Sequence, residues 1–354
     1  MTRVFVGGYG GLAVGEFADR LIGLAPWGAS GGAQPVERPS YVVVSRDRRW
    51  VYAVSEGAEG KVVALPADGQ GQLARVRSGG ADPCHLALSP AGDLLVVSNY
   101  SSGTVGLLSV DGGTLTLQDT VHLTGHGPHQ RQQGPHAHQA TWLSETEVVV
   151  CDLGSDSLAG LTLRATGNGG AVPRLTQRWS VSLPPGTGPR HLAVTRSGET
   201  MWVVGELDNT VHTVRRDPDA STTGRSGGWS VVRSQALLGE PASTGPAPSP
   251  TADDGDSLAA GIVTDPGGRH VYVTVRGADV LIHLSVDAAG ELTEVERLPT
   301  AHWPRFLGWL PGNRALVVAA ERADQLQCFP VANDGSLSGP AWTADWPTPT
   351  CLSR

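Results

Sequence analysis

Eighteen residues, Gly125–Trp142 (GHGPHQRQQGPHAHQATW), hold four of the eleven histidines of this 354-residue chain: His126, His129, His136 and His138. Arg131 and two Gly-Pro steps lie among them. Histidine titrates near neutrality and can relay protons. Arginine stays charged and grips a carboxylate or phosphate through two parallel hydrogen bonds. The stretch is therefore suited to acid–base work on an anionic molecule. His136-Ala137-His138 also allows a metal: in an extended chain alternate side chains share a face, and Asp152 could add a third ligand. No local Cys or Glu completes such a set. His122, His126 and His129 are expected in loops, with His129 and Arg131 able to reach a ligand's charged end.

Other chemistry is not signalled. There is no G-x-S-x-G nucleophile elbow, and GGYGG at Gly7–Gly11 precedes no helical pattern, so it is not a phosphate loop. Cys84, Cys151, Cys328 and Cys351 form no C-x-x-C pair, which argues against a zinc ribbon or a redox motif. The net charge of −8 and pI near 5.7 argue against a general nucleic-acid binder, while a local arginine cluster can still hold an anionic small molecule. MTRVFVGGYGG lacks a signal pattern, and no apolar run is long enough for a membrane span. The expectation is a cytoplasmic protein with reduced thiols, with no nucleic-acid or membrane partner, acting as a monomer or weak homo-oligomer.

The elements that carry these residues repeat. A polar lead-in, an apolar strand, a Gly-containing turn, a second apolar strand, a polar close and a third strand recur from Pro39, Pro83, Pro135, Pro189, Leu258 and Pro304. The polar closes are Glu56, Asn99, Asp152, Glu206, Arg276 and Glu321, spaced by roughly 43 to 70 residues, a period that belongs to four-stranded propeller blades. The 47 glycines and 25 prolines and the Val-, Leu- and aromatic-rich runs fit many short strands. Arg3–Gly10 reads as the second strand of a seventh copy, and the tail from Pro349 would supply its inner strand. One domain over 1–354 is expected: an all-β, seven-bladed β-propeller whose ring is closed by strands from both termini, leaving no open edge. Asp217–Gly228 and Glu240–Ser257 are Pro/Ser/Thr/Gly-rich and read as surface loops.

In a propeller the first strand of each blade lines the axis and the second runs antiparallel beside it. Strand-one starts and strand-two ends then share one mouth. This gathers His85, His136 or His138, Arg190, His191 and Arg305 with the six polar closes, a mixture of histidines, carboxylates and arginines at a usual place for a ligand.

The motifs RQQGPHAH (Arg131–His138), CDLGSD (Cys151–Asp156), GTGPRHLA (Gly186–Ala193), GEL (Gly205–Leu207) and VRGAD (Val275–Asp279) resemble those of the seven-bladed lactonase propellers, which include 6-phosphogluconolactonases and carboxy-cis,cis-muconate cyclases. The resemblance covers essentially the whole chain. It implies that His136 or His138, Arg190, Glu206 and Arg276 line an active site. With Arg131, His129, Asp152, His191, Arg305 and Glu321 holding substrate, the expected activity is hydrolysis of an anionic sugar lactone, most simply 6-phosphogluconolactone of the pentose phosphate pathway, without metal or cofactor. Glu206 or His138 would take the proton from water, and Arg190 or Arg276 would stabilise the oxyanion. A muconate-type lactonising cycloisomerase and a non-catalytic ligand- or protein-binding propeller are the alternatives.

Overall fold

The structure, a computed structural model, describes residues 2–28, 36–166, 172–217, 219, 227–239, 257–287 and 289–354. Most of the two low-complexity pieces, 218, 220–226 and 240–256, lies outside the described residues. The described residues form seven four-stranded antiparallel sheets. The innermost strands are Val42–Val44, Pro83–Leu88, Ala137–Trp142, Pro189–Val194, Leu258–Thr264, Pro304–Trp309 and Pro349–Ser353, and they define blades 1 to 7. Each touches the next, and the seventh returns to the first. Blade 7 pairs Pro349–Ser353 with Thr2–Gly8, so the two chain ends close the ring as expected.

The strands' apolar runs follow from this packing. Every blade is sandwiched between two others, so both faces of its second strand are buried. In blade 3, Val148 and Val150 face the core shared with blade 2, while Val149 and Cys151 face that shared with blade 4. Period-two alternation is preserved, but both phases are apolar. Seven separate cores result, one at each blade interface. Burying a Val or Leu contributes roughly 1.5–3 kcal/mol, so these interfaces hold the ring.

The turns after the second strands carry a recurrent device. Asp156, Asn209, Asp279 and Asp324 have φ of 48°, 53°, 53° and 52°, left-handed values that Asp and Asn tolerate through local hydrogen bonds. Each side chain ties down the lead-in of the following blade. Asp156 accepts from the amides of Gly186 and Gly188. Asn209 donates to the carbonyl of Ser257. Asp279 accepts from the amide of Trp303, and Asp324 from that of Thr348. These latches set where each innermost strand begins. The only helical turns among the described residues are two of 3-10 type, Leu153–Ser155 and Glu321–Ala323. One expectation is corrected: His122 ends the outer strand Thr114–His122 of blade 2 rather than lying in a loop, because Thr104 still pairs with it.

Candidate active site

The innermost strands do not start as plain extended chain. In blades 2 to 6 each has one residue more than its partner, between Pro83 and His85, Ala137 and Gln139, Pro189 and His191, Ala259 and Ile262, and Pro304 and Phe306. Blade 7 has the same irregularity between Pro349 and Cys351. A bulge bends the strand and re-aims one side chain. The residues so placed around the mouth are Cys84, His138, Arg190, Ala260, Arg305 and Thr350. This separates the two histidines left open by the sequence. His138 occupies the bulge of blade 3 and is buried. His136 precedes the strand.

Glu206 is the hub of the mouth. Its Oε1 meets an Arg131 guanidinium nitrogen at 2.7 Å, and its Oε2 meets Arg190 Nε at 2.9 Å and Arg276 at 3.0 Å. Glu206 and Arg190 are each 3% exposed at the side chain, and Arg276 6%. The two buried arginines also bond to backbone: Arg190 donates to Ala260 O, and Arg276 donates to Leu258 O and Ala259 O. The apolar start of blade 5, LAAG, is therefore functional in its smallness. It leaves room for two guanidiniums and offers them carbonyls. Burial by itself would raise the Glu206 carboxyl, but Arg276, Arg131 and Arg190 hold it far below the usual carboxylate range. Burial, with Arg276 alongside, pushes Arg190 down to about 9, still protonated at neutral pH.

Beside this hub stands a column of neutral rings. Tyr41 and His85 lie 4.2 Å apart, His138 and His191 5.1 Å. Burial and then Arg190 push His85 down to about 3. Burial, Arg190, Arg305 and Arg276 hold His138 well below its ordinary value, and His191 is depressed by burial, Arg190 and the neighbouring histidines. His138 Nδ1 is buried with no protein partner.

The other expected residues divide between ligand space and scaffold. Asp152 is committed to the chain: it accepts from the amides of His136 and Gly154 and from Ser155 Oγ. His136 Nδ1 bonds to Tyr100 O at 2.9 Å and its ring stacks on Tyr100 at 4.5 Å, so it orients neighbours. His129 Nδ1 accepts from the Arg131 amide, shaping the loop that delivers Arg131. Arg305 pairs with Glu321 at 3.1 Å on the far wall. The bulge breaks the shared face of His136 and His138, and the described residues contain no group of three His, Cys, Asp or Glu able to hold a metal.

Sequence reasoning missed three residues. Tyr100 takes a hydrogen bond from Arg131 and meets His138 edge-on at 5.8 Å. Gln132 is fully buried and fixes the Arg131 loop through Leu153 O, Asp156 and the His129 amide. Tyr9 donates to Glu56. The signal for Tyr100 and Tyr9 was available: each follows a strand-two end, Asn99 or Gly8. Gln132 had none, since a polar residue in a polar loop reads as exposed.

A seven-bladed propeller with an arginine-bound carboxylate and neutral histidines at its mouth defines a class of small-molecule sites. Residues 28–353 match the family described as "Lactonase, 7-bladed beta-propeller", and the chain belongs to that family. It is 30% identical over 331 residues to the 6-phosphogluconolactonase of Bacillus subtilis, spanning 90% of this chain and 88% of that one. It superposes on a Lactobacillus plantarum protein with a TM-score of 0.83 at 25% identity, over 99% and 98% of the two chains. A Pseudomonas aeruginosa periplasmic gluconolactonase shares the fold, with a TM-score of 0.77 at 23% identity over 99% and 98%. The chain is thus a lactonase-family enzyme.

Proposed function

We propose that this enzyme hydrolyses a phosphorylated sugar lactone, 6-phosphogluconolactone, to 6-phosphogluconate. The proposal includes the cytoplasm and the pentose phosphate pathway as its setting, with the enzyme acting as a monomer or weak homo-oligomer. The observation that carries the reading is the convergence of Arg131, Arg190 and Arg276 on Glu206 beside a neutral His138. Three guanidiniums against one carboxylate leave positive charge that an anionic substrate neutralises. The Bacillus relative's name supports the substrate class.

Glu206 is a poor base, because three guanidiniums stabilise its ionised form. Its role is to fix the arginines. His138 is neutral and is placed by the bulge beside the arginines, so its imidazole takes the proton as water attacks the lactone carbonyl. Burial makes His138 a weak base, and so do the same arginines. A bound anion offsets their field and raises its basicity, so the substrate's charge helps to prime the base. Arg190 stabilises the carbonyl oxygen as it becomes negative, a contribution of about 3–4 kcal/mol for one such donor. The adduct then collapses with cleavage of the ring C–O bond, and His138 returns the proton to the departing ring oxygen, giving the open hydroxy acid. Arg131, at 36% side-chain exposure and on a loop, turns from Glu206 to the incoming anion.

The test is the rate of 6-phosphogluconolactone hydrolysis above spontaneous background. His138→Gln and Arg190→Ala are expected to lower kcat by about 100-fold or more. The phosphorylated lactone is expected to exceed gluconolactone in kcat as well as in kcat/KM. A wild-type rate equal to background rejects the reading.

A further inference from the structure

We propose that the wall of the mouth across the axis from Glu206, made by Tyr9, Glu56, Arg305 and Glu321, is a second subsite that binds the uncharged, hydroxyl-bearing part of the lactone. The inference rests on the reading above that the mouth takes a lactone, and it adds which end lies where.

The ring places the two walls. Arg131, Arg190 with Glu206, and Arg276 come from the lead-in of blade 3 and from blades 4 and 5. Arg305 with Glu321, Tyr9, and Glu56 come from blades 6, 7 and 1. The second wall is one connected group. Tyr9 Oη lies 3.1 and 3.2 Å from the two oxygens of Glu56. The Arg305 guanidinium is 5.4 Å from the centre of the Tyr9 ring and pairs with Glu321 at 3.1 Å. Arg38 sits 4.8 Å from the same ring and 3.6 Å from Glu56. Both walls border the axis: the bulges place Arg190 in one and Arg305 in the other, and Arg276 lies 5.5 Å from the centre of the Trp303 ring, in the lead-in to Arg305.

The walls differ in charge and in access. The first sets three guanidiniums against one carboxylate. The second sets Arg38 and Arg305 against Glu56 and Glu321, so it is balanced. Glu206 is 3% exposed, whereas Glu56 and Glu321 are 13% and 15% exposed and can be reached by a ligand. An ionised carboxylate accepts at about four lone-pair positions and donates nothing. Glu56 and Glu321 therefore suit hydroxyl donors, held in place by the arginines. Burial raises the Tyr9 phenol to about 12, so it stays a donor. A second anionic group at this wall would find arginines already neutralised by Glu56 and Glu321, so a diacid without hydroxyls fits less well. The substrate implied is a lactone with an anion at one end and free hydroxyls at the other.

The experiment compares 6-phosphogluconolactone with its 2-deoxy and 3-deoxy counterparts on wild type, Glu56→Gln, Glu321→Gln and Tyr9→Phe, with melting curves to confirm folding. The expected result is a loss of at least tenfold in kcat/KM for the near-isosteric variants on the fully hydroxylated substrate, falling mainly on KM. That loss should shrink on the deoxy lactone that lacks the bound hydroxyl. Equal losses on all three lactones, or none, overturn the subsite while leaving the lactonase reading intact. If wild type hydrolyses no lactone, that reading fails instead. The subsite is then decided by calorimetry with 6-phosphogluconate and inorganic phosphate: weaker sugar-acid binding in Glu56→Gln at unchanged phosphate affinity supports it, and unchanged binding of both overturns it.

Discussion

Glu206 holds three arginines, two of them nearly without solvent. Removing its charge leaves buried guanidiniums uncompensated, an event that costs about 3–5 kcal/mol in comparable pairs. Glu206→Gln is therefore expected to melt well below wild type and to recover more than wild type does on adding phosphate, read by thermal unfolding. The buried histidines make a second prediction. His85 and His138 have folded-state pKa values depressed below the unfolded value near 6.5. Their neutral forms are fully compatible with folding above pH 6.5. As pH falls towards 3, the unfolded chain takes up protons that the folded chain refuses, so stability is lost. Near pH 5 these two groups, with His191 depressed in the same way, should give a slope of roughly 4 kcal/mol per pH unit. Denaturant unfolding between pH 7 and 4.5 measures it, and His85→Gln should remove about a third. A flat profile would show that these rings are hydrated in the folded state.

At the scale of elements, bulges and latches decide where side chains go. The bulges convert a strand start into a residue aimed at the axis, and the latches fix the lead-in of each blade from the blade before. Asp156 is the most heavily used latch: it is buried and takes Gln132 as well as Gly186 and Gly188. Asp156→Ala strands three donors, each costing about 1–3 kcal/mol when buried and unpaired. A destabilisation of at least about 3 kcal/mol in urea unfolding is expected, with a raised KM because the Arg131 loop and the start of blade 4 lose their anchor. Asp156→Asn, which keeps one acceptor oxygen, should fall between. Gly154 shows a similar constraint: a Cβ there would collide with the Gly134 carbonyl, so the lead-in packs directly on the turn after Asp152.

The whole molecule depends on closure. Pro349–Ser353 is the innermost strand of blade 7 and supplies Thr350, Cys351 and Leu352 to buried positions. A chain ending at Thr348 would expose the edge of Thr2–Gly8 and open two of the seven cores, those shared with blades 1 and 6. Free strand edges invite pairing with other chains. Such a truncation is expected to elute from size exclusion as aggregate, and a chain that stayed monomeric with an unchanged melt would contradict it.

The sequence by itself determined the architecture, because a propeller repeats one local pattern. Apolar runs, turn residues and polar closes recur at blade spacing, and each blade meets the same surroundings. That was enough to count seven blades, to pair the chain ends, and to gather Arg190, Glu206, Arg276 and one of two histidines at one mouth. What only the tertiary structure decided depends on one-residue offsets and on contacts across the ring. The repeat beginning at Pro135 does not show that the strand starts at Ala137, and a bulge, not the motif, sends His138 to the axis while His136 turns to Tyr100. Nothing local to Asp152 shows that amides from its own turn and lead-in fill its oxygens, nor does the start of blade 5 show that its bareness makes room for two arginines. Neighbours in sequence set the strands. Neighbours around the ring, brought together only when the last strand closes it, set the charge and hydration of each side chain in the mouth.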